Sequence, residues 1–119
     1  MPLDNKSILQ TANAAITKGD YEGFLAFCSE DTTWKFIGDQ TLTGKQAVRD
    51  WMATAYKEHP KFEVSNLVAE DDIVIALGTV TMKNDAEREI TYSYCDVWRF
   101  KNGKMVELNA FVIEPTANA

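Results

Sequence analysis

Polar and apolar side chains alternate along residues 87–100, EREITYSYCDVWRF, and that alternation predicts a β-strand with two unlike faces. One face carries Ile90, Tyr92, Tyr94, Asp96, Trp98 and Phe100, the other Thr91, Ser93, Cys95, Val97 and Arg99. A carboxylate in the middle of an aromatic row is costly to bury, because a low-dielectric surrounding disfavours its charged form. Asp96 therefore sits at a sheet edge, is tied to a neighbouring hydroxyl, or belongs to a functional site.

The pattern upstream is helical. Ile8, Leu9, Ala12, Ala15 and Ile16 fall on one face of a helix over residues 4–18, and Gly19 can take the left-handed stop. Asp20 is placed to cap a second, shorter helix with Phe24, Leu25, Phe27 and Cys28 on its apolar side, ended by Glu30 and Asp31. Residues 32–37 alternate around Trp34 and Phe36 as a strand, and Gly38, Asp39 and Gln40 are turn formers. Thr43 and Gln46 have the spacing of a capping box. A third helix is expected from there to about His59, with Ala47, Val48, Trp51, Met52 and Ala55 facing inward and Pro60 enforcing its end.

After Pro60 the chain becomes β-branched and aromatic. Strands are expected over residues 62–70, 73–83, 87–101 and 104–114, separated by Asp71-Asp72, Asn84-Asp85 and Asn102-Gly103. The last pair suits a type I′ hairpin turn. Three N-terminal helices followed by a strand meander describe an α+β domain, with helices packed on one face of a curved antiparallel or mixed sheet. The whole chain, 1–119, reads as a single domain, with residues 116–119 as a frayed tail.

Charge and composition remove several functions. A formal charge of −6, with no basic run longer than a dipeptide, argues against nucleic acid or an anionic membrane as partner. Cys28 and Cys95 lack metal or redox spacing and read as small buried hydrophobes in a reducing compartment. No apolar run suits a signal peptide or a membrane span, so a cytoplasmic location is expected. His59, the only histidine, reads as a surface residue; alone it cannot build a zinc site, and nothing brings it to a Ser or Cys nucleophile. Gly38, Gly44 and Gly78 are too scattered for a phosphate loop.

Several stretches in order resemble the SnoaL-like and ketosteroid-isomerase-like branch of the nuclear transport factor two superfamily. They are Gly19-Asp20-Tyr21-Glu22-Gly23, Glu30-Asp31-Thr32-Thr33-Trp34, Thr43-Gly44-Lys45, and Asp96-Val97-Trp98-Arg99-Phe100 with Asn102-Gly103-Lys104. The resemblance implies a cone-shaped fold enclosing a deep, mostly apolar pocket, and often a homodimer through the outer face of the sheet. It puts Asp96 where ketosteroid isomerases keep a protonated acid in an apolar site. Where those enzymes carry their general base this chain has Phe36, and where they carry the oxyanion-hole Tyr it has Ala12. Steroid isomerisation is therefore not expected.

Alternation and the resemblance together give a pocket wall of Trp34, Phe36, Trp51, Met52, Tyr94, Asp96, Trp98, Leu108, Ala110 and Val112, with Tyr56 approaching from the third helix. Such a wall suits an apolar small molecule held by few polar groups. Asp96 is the candidate acid or base, and Tyr94 or Tyr56 could polarise a substrate oxygen. Three classes stay open: a cofactor-independent isomerase, cyclase, hydratase or epoxide hydrolase; a binding protein without chemistry; and an interaction module. In the last, Phe111 and Ile113, beside Glu107 and Asn109 on the outer face of the final strand, would form a two-fold interface.

Overall fold

The structure, a computed structural model, describes residues 4–56, 60–83 and 86–114. Helix α1 (Asn5–Thr17) starts where the Asp4 carboxylate accepts from the Ser7 amide, and it ends before Gly19, whose φ of 82° is the left-handed stop. It buries Ile8, Leu9, Ala12 and Ile16. Helix α2 (Tyr21–Leu25) is capped by Asp20, which accepts from the Gly23 amide at 3.0 Å.

Glu30 and Asp31 do not end α2. The Phe27 carbonyl accepts from the Met105 amide at 2.7 Å, and that pairing draws the chain into the sheet by Cys28, so strand β1 (Cys28–Phe36) already contains both acids. A short strand absent from the sequence reading, β2 (Thr41–Thr43), pairs antiparallel with β1.

The expected capping box does not form. Thr43 belongs to β2 opposite Thr33, the Gly44 amide donates to the Thr32 carbonyl, and Gln46 bonds Asp50 and Arg49 instead. Gly44 is the N-cap of helix α3 (Lys45–Ala55), which ends short of the expected limit. Val48 and Met52 form its buried stripe, with Trp51 beside them.

Strands β3 (Lys61–Glu70), β4 (Ile73–Lys83), β5 (Glu89–Lys101) and β6 (Lys104–Ile113) complete the sheet. β5 begins two residues later than expected because Glu87, at φ 59°, breaks the extended run. Asn102 and Gly103 both have positive φ, the geometry of the type I′ turn between β5 and β6. The strand order is β2-β1-β6-β5-β4-β3, antiparallel except that β1 and β6 run parallel, so the sheet is mixed.

Irregular register at 28–33 in β1, 64–66 in β3 and 99–100 in β5 bends the sheet, as inserted residues do. Its inner face packs Val74, Ala76 and Val80 of β4, Tyr94, Trp98 and Phe100 of β5, and Met105, Leu108 and Ala110 of β6 into one core with α1, α2 and α3. At the β3 irregularity the backbone of Glu63 and Val64 comes so close to Gly78 that no side chain fits there.

Cys28 is buried, as expected, but Cys95 is only half-buried. It occupies the face opposite Asp96, outside the core. Among the described residues no helix is long and apolar enough to cross a membrane. His59, the Asn84-Asp85 turn and the expected tail at 116–119 lie outside the described residues.

Candidate functional site

A cavity of about 320 Å³ lies between the inner face of the sheet and the helices. The register explains why it is there. Asp96 faces Ala76 on β4 and Ala110 on β6, while Tyr94 faces Gly78 and Val112. Small neighbours on both sides of a half-buried strand leave space that a Leu or Phe would fill. Trp98, between Val74 and Leu108, lines it as well.

β1 adds Trp34 and Phe36, α3 adds Trp51, and Tyr56 follows at its C-cap. Their rings contact one another in tilted and edge-on geometry: Trp34 is 5.7 Å from Trp98 and 6.1 Å from Trp51, and Trp51 is 4.8 Å from Phe36 and 5.2 Å from Tyr56. Phe62 of β3 approaches Tyr94 at 6.0 Å.

Asp96 is on an interior strand, so it is not an edge residue. Among the described residues no hydroxyl or amide bonds its carboxyl, and no cation compensates its charge. Burial alone pushes its pKa from 3.8 to about 7. Its remaining exposure is to the cavity that it lines. The Tyr94 hydroxyl is pushed up to about 12, first by burial and then by the nearby Asp96 charge, and Tyr56 is raised by the same two causes with a smaller contribution from Tyr21. All three groups thus share one poorly solvated region. Both Tyr hydroxyls remain protonated near neutral pH. The Tyr94 hydroxyl and the Trp34 indole N–H are buried with no hydrogen-bond partner.

Trp34, Phe36, Trp51, Tyr56, Tyr94, Asp96, Trp98, Leu108, Ala110 and Val112 all line the cavity. Met52 does not: it is fully buried in the core, on the helix face one residue around from Trp51. Ala12, at the position of the absent oxyanion Tyr, is likewise sealed in the core.

Other lining residues escaped the sequence reading. Tyr92 shares the alternating face of Asp96, and Val80 and Met82 share the equivalent face of β4, so periodicity alone could have found them. Asn13 and Ile16 from α1, Phe24 from α2, Phe62, and the carboxylates Asp39 and Glu114 arrive through tertiary packing, for which the sequence has no local signal. Among the described residues no three His, Cys, Asp or Glu side chains are grouped to hold a metal ion.

Solved structures share this architecture. A protein of unknown function from Burkholderia pseudomallei K96243, described as nuclear transport factor two-like, superposes with a TM-score of 0.81 at 21% identity, covering 98% of this chain and 95% of its own. A protein from Shewanella putrefaciens CN-32 described as a SnoaL-like polyketide cyclase gives 0.82 at 14% identity, over 92% and 89% of the two chains. An epoxide hydrolase of the LEH-like type from M. tuberculosis gives 0.81 at 11% identity, over 91% and 81%. At these identities the likeness is one of fold. No curated protein matches the chain in sequence. The profile of the SnoaL-like domain matches residues 9–108, most of the chain, and the chain therefore belongs to the SnoaL-like domain family.

Proposed function

We propose that the protein is a cofactor-independent enzyme of isomerase, cyclase, hydratase or epoxide-hydrolase type, in which Asp96 moves a proton to or from an apolar ring-type substrate. The observation that carries this reading is a buried, unpaired carboxyl in the wall of an aromatic cavity, with its pKa pushed to about 7. A proton carrier is most effective when its pKa lies near the working pH. Tyr94, whose hydroxyl has no internal partner, is the group to polarise a substrate oxygen, with Tyr56 beside it. At about 320 Å³ the cavity is at the small end of ligand pockets, which favours molecules of one or two rings over a four-ring steroid.

The test is turnover of a panel of one- and two-ring ketones and epoxides. Asp96→Asn should lower kcat/KM by about a hundredfold or more on any substrate found, with the loss carried by kcat. If the variant keeps full turnover, Asp96 is not the proton carrier.

A binding protein without chemistry is the second reading. It is favoured by Phe36 and Ala12 standing where a base and an oxyanion Tyr would complete a proton shuttle. Under either reading we propose a homodimer through the outer face of the sheet. That face exposes Leu77 and Phe111, both flanking Cys95 across the strands, together with Val68 and Ile113. Ion pairs of Arg99 with Asp72 and Glu107, and of Lys61 with Glu89, flank this apolar area. Sedimentation should give a dimer that Leu77→Asp with Phe111→Asp converts to a monomer; a wild-type monomer at micromolar concentration would sink this interface.

A further inference from the structure

The cavity has acids and aromatic faces but, among the described residues, no Lys, Arg or His in its wall. Among the described residues Asp96 has no hydrogen-bond partner and no compensating cation. Asp39, in the turn between β1 and β2, and Glu114, just after β6, add two further carboxylates that are exposed at the rim. Trp98, Trp34, Trp51 and Tyr56 line the interior as a chain of successive ring contacts. The negative π faces of Trp and Tyr attract a cation, and they do so most strongly where water is excluded. A carboxylate stripped of water and lacking a partner gains most from the same cation.

We propose that the ligand of this cavity is a small organic cation: an amine, protonated or quaternary, on a body of one or two rings, with the aromatic walls around the nitrogen and Asp96 as its counter-ion. This rests on the reading of the cavity as a small-molecule site and adds the chemistry that the site selects. A positive charge beside Asp96 holds its carboxyl ionised. If the site is catalytic, Asp96 then acts as a base and not as an acid.

Among the described residues, the groups that face Asp96 do not supply that charge themselves. On its own strand are Tyr92 and Tyr94; from the end of α3 comes Tyr56, with Tyr21 behind it; Asp39 and Glu114 are the other ionisable groups described in the lining. Burial raises the pKa of Tyr21, Tyr56 and Tyr94, which keeps them neutral near pH 7, and Asp39 and Glu114 are acids. The chain as a whole carries −6, so approach of a cation is favoured at long range as well.

Matched ligands test the proposal: 2-phenylethylamine, phenyltrimethylammonium, and 2-phenylethanol as the neutral counterpart, titrated into the full chain by calorimetry and Trp fluorescence between pH 5 and 8.5. At pH 8 both cations should bind at least about tenfold more tightly than the alcohol. The preference should shrink as pH falls through about 7, where Asp96 takes up its proton, and Asp96→Asn should remove most of it. An alcohol that binds as well as the amine overturns the proposal and leaves the small-molecule site standing. So does a cation preference that survives Asp96→Asn unchanged, or one that grows toward pH 5. If none of the three ligands binds at millimolar concentration, the proposal and the underlying site both fall.

Discussion

Replacing Asp96 by Asn should make the folded chain more stable, by an amount that grows with pH between about 4 and 7 and is constant above. In the unfolded chain the carboxyl loses its proton near 3.8, whereas burial in the fold delays that loss to about 7. Between those values the folded state holds a proton that the unfolded state has released, so stability falls as pH rises through the window. Below 3.8 the folded state carries no penalty from this group. Above about 7 the penalty is complete and constant. A separation of about three pH units is worth about 4 kcal/mol at 1.36 kcal/mol each. That is a ceiling, since relaxation and water entering the cavity reduce the desolvation of the charge.

Asn has nearly the shape of the protonated acid and cannot ionise. The stability difference between Asp96→Asn and the parent should therefore be small at pH 4.5 and grow to between about 2 and 4 kcal/mol in favour of Asn at pH 8. With a urea m-value of about 2 kcal/mol/M, the midpoint should move by about 1–2 M. Urea unfolding followed by fluorescence of Trp34, Trp51 and Trp98 reads this directly. Other titrating groups contribute equally to both chains and cancel in the difference. A gap that stays constant between pH 4.5 and 8, or one in favour of Asp at pH 8, would refute the assignment of Asp96 to a desolvated, unpaired site.

Four further substitutions check the account of the fold by urea midpoint. Thr32 is fully buried with its hydroxyl unpartnered, so Thr32→Val should be neutral or stabilising by about 1 kcal/mol; a loss of 2 kcal/mol would mean that the hydroxyl has a partner. Gly78→Ala drives a Cβ into the Glu63 carbonyl, backbone that cannot rotate away, and should cost about 1–3 kcal/mol; an unchanged midpoint would contradict the close crossing of β3 and β4. Asp20→Ala removes the cap of α2 and should cost about 1 kcal/mol, whereas Thr43→Ala, which removes no helix cap, should cost clearly less; equal losses would restore the capping box.

The contrast between β5 and its surroundings shows what sequence can resolve. Alternation has a period of two, so the company of Asp96 on one face and of Cys95 on the other was legible from residues 90–100 alone. The same pattern already placed Cys95 away from the core. Its half-buried position follows from parity, and reading it as a buried hydrophobe overrode that signal. Asn102 and Gly103 were legible because positive φ is a property of the residues themselves. Thr43 and Gln46 misled for the opposite reason: their spacing fits a local cap, but pairing of β2 with β1 engages the backbone first and Gln46 turns to Asp50 and Arg49. Asn13, Phe24 and Phe62 reach the cavity through the packing of α1, α2 and β3 around it, which no local spacing encodes.

The neighbours of Asp96 argue that its site is not a defect of packing. A strand position in an apolar layer can tolerate a carboxylate if a Lys, Arg or hydroxyl is drawn in beside it, as Arg49 and Arg99 pair with the exposed carboxylates Glu22 and Asp72 on the surface. Around Asp96 the chain has instead Ala76 and Ala110, which can donate nothing from their side chains, and it leaves the Tyr94 hydroxyl and the Trp34 N–H unsatisfied in the same layer. Each of these groups carries a desolvation cost in the empty fold that a hydrogen-bonding or charged molecule of the right size would relieve. Filling the space with larger apolar residues at 76 and 110 would bring the layer closer to a sealed core and remove the room for such a molecule. Ala110→Leu should therefore abolish ligand binding while leaving the chain folded, and this loss distinguishes a cavity kept open for a ligand from one that is merely underpacked.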